Sequence, residues 1–273
     1  MTDTQNRPVG LLDSGFGGLS VTRAVRAALP HEDLVFAADC GFAPWGDRTD
    51  DFILERCGRL VEFLEAKNIK ALVLACNTAT AVCAAPLRAR LSIPVVGIEP
   101  AVFPAVRETE TGVVGVIATA KTVASAKYGK LAAEALAWAK DARGLDVKLF
   151  SQGCPGLMEC VERGDFEGEE TLRLIEAYVA EMRAAHADRI VLGCTHYPFL
   201  SDAIARAVPD AELLDPAPAV AQQLVRRLTE EGLLRAEDGR IGSAEFFATG
   251  ADAARETVLQ ALWPGKPTLH ELP

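Results

Sequence analysis

The sequence predicts an α/β protein of two similar domains, each a mostly parallel sheet flanked by helices, with the domains related by a pseudo-twofold axis. Short apolar runs alternate with segments of helical period along the whole chain. Residues 74–78 (LACNT) and 192–196 (LGCTH) are near-copies, each with a cysteine between an apolar run and a helix-like segment. The copies indicate a duplicated half-unit. Two such halves packed face to face would aim both strand-end thiols into one cleft.

The composition indicates a globular protein with acidic character. Of its 273 residues, 49% are hydrophobic and 24% are charged, which suffices for one large or two ordinary domains. The formal net charge of −10 argues against non-specific binding to nucleic acid or to anionic membranes. Residues 1–8 lack a signal-peptide core and no later run approaches the roughly 20 apolar residues of a membrane span, so we expect a cytoplasmic protein. The sequence leaves the oligomeric state open, with a homodimer as one alternative.

Cysteine usage predicts free thiols and no metal site. The chain has seven cysteines, an odd number at irregular spacing, in a protein too large to need disulfide staples. It has no CxxC pair, and its four histidines are scattered rather than grouped at zinc-site spacing. We therefore expect reduced cysteines and no bound metal. The cysteines lie at positions 40, 57, 76, 83, 154, 160 and 194, and the histidines at 31, 186, 196 and 270.

Taken in order, the apolar runs predict alternating strands and helices. A continuous apolar run of about four to eight residues is typical of a strand buried on both faces of a parallel sheet. The first set has strands at 9–13, 34–39, 71–75 and 94–98, with helices beginning near 19, 50 and 78. The second set has strands at 113–118, 147–150 and 189–193, with helices over 122–141, 168–187 and 198–208. A strand at 212–215, a helix over 216–231, a strand at 244–249 and a helix from 251 follow.

Proline-rich segments near 99–104 and 209–218 predict where the chain passes between domains. They define a discontinuous first domain, 1–99 plus 210–273, and an inserted second domain, 100–209. The elements after residue 210 are expected to complete the first sheet. An acidic residue, a proline and an alanine follow each cysteine motif at similar distance, at 99–101 and again at 215–217. This agreement supports the duplication.

Residues 13–18 (DSGFGG) form a strand-to-helix turn that suits an anionic ligand. Its glycines let the backbone approach a ligand, and free amides at the helix start attract a carboxylate or a phosphate. The segment nearly fits the dinucleotide pattern GxGxxG, with Asp39 at the end of the next strand as the matching acidic residue. However, Ser20 replaces the third small residue, and Asp13 would repel a pyrophosphate. A carboxylate site is favoured, with a dinucleotide site and a merely structural turn as alternatives.

Cys76 and Cys194 are the candidate reactive thiols. A free cysteine is more often a buried small residue, but helix amides after both positions would lower the thiol pKa from about 8.5. Polar residues that an apolar core would not select follow each cysteine, namely Asn77-Thr78 and Thr195-His196. Asp13 could take a proton from one thiol and His196 from the other. The other five cysteines lack such neighbours and are assigned structural roles.

Three motifs together resemble bacterial glutamate racemase: residues 11–18 (LLDSGFGG), 76–80 (CNTAT) and 193–198 (GCTHYP). The likeness runs from residue 9 to the last predicted helix and includes Cys154-Pro155, with Glu162 eight residues after the cysteine. The resemblance implies two α/β domains with an active site in the cleft between them. It also implies racemisation of glutamate without a cofactor, which supplies D-glutamate for peptidoglycan.

The resemblance assigns roles to named residues. Cys76 and Cys194 would be the acid and base, with Cys76 deprotonating D-glutamate and Cys194 deprotonating L-glutamate, assisted by Asp13 and His196. Glu162 and Thr119 would contact these acid–base residues and hold them in place without touching the substrate. The family usually has Pro-Tyr-Gly where this chain has Pro44-Trp45-Gly46. The tryptophan removes a phenol and adds bulk, which bears on how the substrate side chain is recognised. The implied substrate contacts are Asp13, Ser14, Pro44, Trp45, Gly46, Asn77, Thr78, Thr195 and His196.

The chemistry explains why two thiols are needed. Inversion at an α-carbon requires one group to remove a proton from one face and another to deliver a proton to the opposite face. No lysine lies in a recognisable cofactor setting, so backbone amides and polar side chains would have to stabilise the carbanion. An aspartate racemase or another two-thiol racemase of the same fold is an alternative. A binding protein for an acidic metabolite and a dinucleotide enzyme are further alternatives.

Overall fold

The computed structural model describes residues 3–236 and 239–273. The chain forms two compact units, one running up to Ile98 and again from Ala217, the other spanning Glu99–Pro216. The strands, in chain order, are β1 (Val9–Asp13), β2 (Leu34–Ala38), β3 (Ala71–Leu74), β4 (Val95–Gly97), β5 (Val113–Ala118), β6 (Lys148–Gly153), β7 (Arg189–Gly193), β8 (Glu212–Leu214), β9 (Ala244–Ala248) and β10 (Leu269–Glu271).

The helices pack on these sheets, as expected where parallel strands are joined by crossovers. Short 3₁₀ turns cover Asp3–Asn6, Phe16–Gly18, Cys40–Phe42 and Tyr197–Leu200. The α-helices, in chain order, are α1 (Leu19–Ala28), α2 (Asp50–Ala66), α3 (Asn77–Arg90), α4 (Val102–Glu108), α5 (Ala120–Ala124), α6 (Ala126–Arg143), α7 (Leu157–Glu162), α8 (Glu169–Ala184), α9 (Ser201–Ala207), α10 (Ala217–Glu230) and α11 (Ala253–Leu262).

Each unit contains one parallel sheet, and four strands of the larger sheet follow the same order as the four strands of the smaller one. The first sheet runs β10-β9-β2-β1-β3-β4 and the second runs β6-β5-β7-β8. In each, the first strand of the unit is flanked by the second on one side and by the third and fourth on the other. The third strand, β3 or β7, leads into the cysteine motif. The predicted α/β class with two parallel sheets is confirmed, and the repeated motif has a structural counterpart in each sheet.

The strand β8 corrects one prediction. It pairs in parallel with β7, with Leu213 opposite Ile190, and therefore belongs to the second sheet rather than the first. The chain consequently returns to the first unit after Pro216 instead of at residue 210. Both passages between units fall at the repeated motif of acidic residue, proline and alanine. The later strand β9 does join the first sheet, where it pairs with β2.

Several helix and strand boundaries differ from the prediction for local reasons. The helix predicted over 122–141 is two helices, α5 and α6. Ser125 separates them, because its backbone is extended and its side chain caps α6 by accepting from the amide of Tyr128. The helix predicted over 198–208 begins as a 3₁₀ turn. The strand predicted at 147–150 extends to Gly153. The elements α4, α7 and β10 were not predicted because they are too short to show a clear period.

A buried ion pair joins two loops at the start of the first sheet. Lys70 precedes β3, and its Nζ lies 2.5 Å from Oε2 of Glu32 and 2.7 Å from the carbonyl oxygen of Gln5. Glu32 Oε1 also accepts from the backbone amide of Arg235 at 2.9 Å. The Lys70 side chain is fully buried and that of Glu32 nearly so. The pair therefore fastens the N-terminal segment and the segment before β9 to the sheet.

Replacing Lys70 with Met should lower the free energy of unfolding by about 3–5 kcal/mol, because Glu32 would become a buried charge without its partner. Equilibrium urea unfolding measures this loss. Lys67→Met is the matched control, since its pair with Glu245 is half-exposed and should contribute at most about 1 kcal/mol. Equal losses for the two variants would show that the buried pair is not a fastening point.

Candidate active site

In the first unit, polar side chains collect where the parallel strands end. Asp13 is the last residue of β1, Asp39 follows β2, and Cys76 follows β3 by two residues. Asp13 pairs in register with Ala38, and its carbonyl oxygen accepts from the amide of Asp39 at 3.1 Å. Because carboxyl ends of parallel strands form the usual binding edge of such a sheet, these residues define the candidate site of this unit.

A hydroxyl connects the predicted acid–base pair of the first unit. Ser14 Oγ donates to Asp13 Oδ1 at 3.1 Å and lies 3.6 Å from Cys76 Sγ. The same carboxylate oxygen accepts from the amide of Gly15 at 3.3 Å. Asp13 is fully buried, and a side chain at Gly18 would come within 2.6 Å of it, so only glycine permits this packing. The thiol and the carboxylate thus share a buried hydrogen-bonded chain.

Cys76 also caps helix α3. Its sulfur accepts from the amide of Ala79 at 3.4 Å, and its backbone is extended as at a helix N-cap. Thr80 fixes this helix start, because its hydroxyl donates to the carbonyl of Leu74 and accepts from the amide of Ile98. The partial positive charge at a helix N-terminus stabilises negative charge on the sulfur. This environment favours a reactive thiol rather than an inert one.

Asn77 presents an unsatisfied amide beside the thiol. It is the first residue of α3 and only 7% exposed, yet its side-chain oxygen and nitrogen both lack a hydrogen-bond partner among the described residues. Leaving such a group buried costs about 1–3 kcal/mol. A polar ligand that bonds to the amide would recover this cost. Thr78, the next residue, is also buried.

In the second unit, a histidine links the other thiol to a carboxylate. Cys194 follows β7, and its sulfur lies 3.5 Å from Nδ1 of His196. His196 Nε2 lies 2.7 Å from Glu162 Oε1, at the end of α7. Burial alone would lower the pKa of His196, but the hydrogen bonds to Cys194 and Glu162 raise that pKa well above its usual value. The two contacts therefore favour the protonated form of the imidazole over the neutral one.

The segment after Cys194 differs from the one after Cys76. A 3₁₀ turn over Tyr197–Leu200 follows Cys194 and precedes α9, so the helix predicted over 198–208 is α-helical only from Ser201 and ends at Ala207. Pro198 stands early in this turn. The charge near Cys194 consequently comes from His196 rather than from a helix terminus. Thr195 is buried beside the thiol, and Thr119 lies at the end of β5, where its hydroxyl accepts from the amide of Thr122.

The structure corrects the interpretation of Trp45 and of Asp39. The Trp45 side chain is 1% exposed and packs in the hydrophobic core, whereas Pro44 and Gly46 are half-buried. The indole nitrogen of Trp45 donates to Asp39 Oδ2 at 3.1 Å, and Arg56 forms a bidentate ion pair with the same carboxylate. Asp39 is therefore committed to protein groups and cannot serve as a ribose ligand. Sequence reasoning missed Arg56 because nothing near it marks a site.

The other five cysteines are buried. Burial raises the pKa of Cys154 to about 12, so this thiol stays protonated at neutral pH. Among residues 3–236 and 239–273, no group of three or more histidine, cysteine, aspartate or glutamate side chains is arranged to hold a metal ion. In the same part of the chain, no helix combines the length and apolar character of a membrane span.

Each of the two α/β units thus has a parallel sheet with a cysteine at a strand end and polar side chains beside it. This arrangement fits enzymes that use cysteine to transfer protons at carbon. The chain belongs to the Asp/Glu/Hydantoin racemase family, whose model matches residues 18–224. The resemblance suggested by the sequence motifs is thereby confirmed, and with it the assignment to the amino-acid racemases.

Individual relatives match over nearly the whole chain. A glutamate racemase of Pseudomonas putida strain W619 is 44% identical over 98% of both chains. The crystal structure of glutamate racemase from Francisella tularensis in complex with D-glutamate is 26% identical, with a TM-score of 0.82 over 98% of both chains. That of the Escherichia coli enzyme, in complex with L-glutamate and the activator UDP-MurNAc-ala, is 30% identical, with a TM-score of 0.81 over 97% of this chain and 98% of that one.

Replacing Glu162 with Gln should lower the pKa of His196, because the imidazolium loses its charged partner. Titration of the imidazole C–H resonances by NMR measures the change, with the His196 signals assigned by their absence in His196→Asn. Glu167→Gln is the matched control, since this exposed carboxylate pairs with Arg206 instead. A His196 that titrates at the same pH in wild type and Glu162→Gln would contradict the coupling.

The same coupling predicts how stability depends on pH. A histidine whose pKa is raised by folding stabilises the fold below its unfolded pKa of about 6.5 and loses that contribution as the pH rises through the folded value. The difference in unfolding free energy between wild type and Glu162→Gln should therefore be present near pH 6 and shrink as the pH rises further.

Proposed function

We propose that this protein interconverts L- and D-glutamate without a cofactor, using Cys76 and Cys194 as the two acid–base groups. The observation that carries the proposal is that each thiol has its own buried proton relay. Ser14 and Asp13 serve Cys76, whereas His196 and Glu162 serve Cys194. A purely structural cysteine needs no such partner. The 44% identical relative from Pseudomonas putida, named a glutamate racemase, supports the same assignment.

The reaction consists of two proton transfers at one carbon. With L-glutamate, the Cys194 thiolate removes the α-proton, the carbon keeps the electron pair as an enolate-like anion, and Cys76 delivers a proton to the opposite face. With D-glutamate the roles are exchanged. Before the next turnover in the same direction, the thiol that has gained a proton returns it to solvent, and the thiol that has given one up takes a proton back. His196 serves this exchange at Cys194, and Ser14 and Asp13 serve it at Cys76. Proton transfer by positioned groups of this kind typically contributes 10²- to 10⁴-fold.

Recognition of the α-carboxylate falls to the polar groups around Cys76. The buried amide of Asn77 can donate to a carboxylate oxygen, and the N-terminus of α3 favours its negative charge. As the α-proton leaves, negative charge grows on this carboxylate, so the same donors stabilise the transition state more than the substrate. Thr78 and Ser14 on this side, and Thr195 and Thr119 in the second unit, are further candidate contacts.

Related structures support glutamate as the substrate rather than aspartate. The Francisella tularensis relative was crystallised with D-glutamate and the Escherichia coli relative with L-glutamate. We extend this ligand to the present chain and place its product, D-glutamate, in peptidoglycan synthesis in the cytoplasm. A homodimer is part of the proposal, and light scattering of the purified protein tests it separately from activity.

Incubation of the purified protein with either enantiomer of glutamate should bring the circular dichroism signal of the amino acid to zero. Aspartate should change far more slowly. Activity should persist after exhaustive chelation, and the protein should show no absorbance beyond its aromatic band, because the chemistry is assigned to side chains alone. Stabilisation by glutamate without racemisation would instead indicate a binding protein, and faster turnover of aspartate would overturn the substrate assignment.

A further inference from the structure

A buried carboxylate holds the segment that carries Trp45. Asp39 Oδ2 accepts from Trp45 Nε1 at 3.1 Å and from Arg56 Nε at 2.9 Å, and Oδ1 accepts from Arg56 Nη2 at 2.6 Å. Thr249 Oγ1 donates to Oδ1 at 3.1 Å and accepts from the amide of Gly41 at 2.9 Å. We call Asp39, Trp45, Arg56 and Thr249 the Asp39 hub. All four side chains are buried.

The Asp39 hub joins four parts of the first unit at the binding edge of its sheet. Asp39 follows β2, Thr249 follows β9, Arg56 belongs to α2, and Trp45 stands in the connection before that helix. The hub is one backbone hydrogen bond from the candidate proton relay, because the amide of Asp39 donates to the carbonyl of Asp13. Trp45 also lies in the same hydrophobic cluster as Cys76. Movement of the hub would therefore disturb the site directly.

The connection itself is tied down at both ends by groups of the hub. Its first part, Cys40–Phe42, is held through the amide of Gly41, and Arg56 stacks on the Phe42 ring at 3.6 Å. Its last part is held by the Trp45 indole, which donates to Asp39. The backbone carbonyl of Trp45 also accepts from the amide of Arg48. Between them, Pro44 and Gly46 stay half-buried at the surface. The Trp45 ring packs into the core, so at this position only the backbone can face a ligand.

We propose that Trp45 is a positioning residue, which through Asp39 fixes the backbone of residues 44–46 against the bound amino acid. This inference rests on the proposed function and adds that the Trp45 ring does not select the substrate. The indole N–H has the decisive role, because it is the donor by which the segment is attached to the buried carboxylate. A phenylalanine ring would fill much of the same core space but would remove the hydrogen bond that attaches the last part of the segment to Asp39.

Trp45→Phe tests the role of the indole N–H, and Thr249→Val removes a second contact of the hub at a different position. The KM for glutamate should rise about tenfold in each variant while kcat falls less than about threefold, as expected when ground state and transition state lose the same contact. Hydrogen–deuterium exchange should become faster in peptides covering residues 40–48. The ratio of rates for glutamate and aspartate should stay unchanged.

Trp263→Phe is the matched control, since it makes the same chemical change at a buried tryptophan of the same unit that packs on Phe246 away from the hub. It should leave both KM and exchange of residues 40–48 at wild-type values. The positioning role would be overturned if Trp45→Phe and Thr249→Val stay active with an unchanged KM or with unchanged exchange of residues 40–48. It would also be overturned if Trp263→Phe had an equal effect. A changed glutamate-to-aspartate ratio in Trp45→Phe would also overturn it. A wild-type protein without racemase activity would overturn the proposed function instead.

Discussion

Both units hold a buried cysteine where a central strand ends, and the proposed function requires that each of these thiols still exchange a proton. A parallel sheet places the carboxyl ends of its strands at one edge, which brings residues from distant parts of the chain to the thiol. Asp13 can lie there fully buried because Gly18 leaves room for it and because Ser14 and Gly15 donate to its carboxylate. A buried carboxylate without such donors would be costly.

The two units meet this requirement with different chemistry on the same strand order. The first places Cys76 at the start of α3, next to a hydroxyl that donates to the carboxylate of Asp13. The second places Cys194 beside His196, whose pKa is raised by its contacts with Cys194 and Glu162. A helix terminus and an imidazolium are both sources of positive charge for a thiolate. The two units therefore share the position of the thiol but not the group beside it.

The sequence predicted the parts of this structure that depend on local patterns. The ends of β1, β5 and β7 were predicted to the residue because each contains a short apolar run with polar or small residues at its ends. Strand pairing is a tertiary property, so β8 was assigned to the wrong sheet. The motifs located both cysteines, but the direction of a side chain is not written in a motif, and Trp45 proved to face the core. The family resemblance named Glu162 as a supporting residue, but its contact with His196 was not predicted, because 34 positions separate the two residues.

The central claim is that Cys76 and Cys194 act as separate bases on opposite faces of one α-carbon. The most direct measurement is elimination of a leaving group from a β-substituted glutamate analogue, which needs deprotonation on one face and no reprotonation on the other. Cys76→Ser and Cys194→Ser should both lose racemisation, because a hydroxyl is a far weaker base than a thiolate at neutral pH. Cys76→Ser should still eliminate from the L analogue only, and Cys194→Ser from the D analogue only. Loss of elimination from both enantiomers in both variants, or full racemisation in either, would contradict the two-base account.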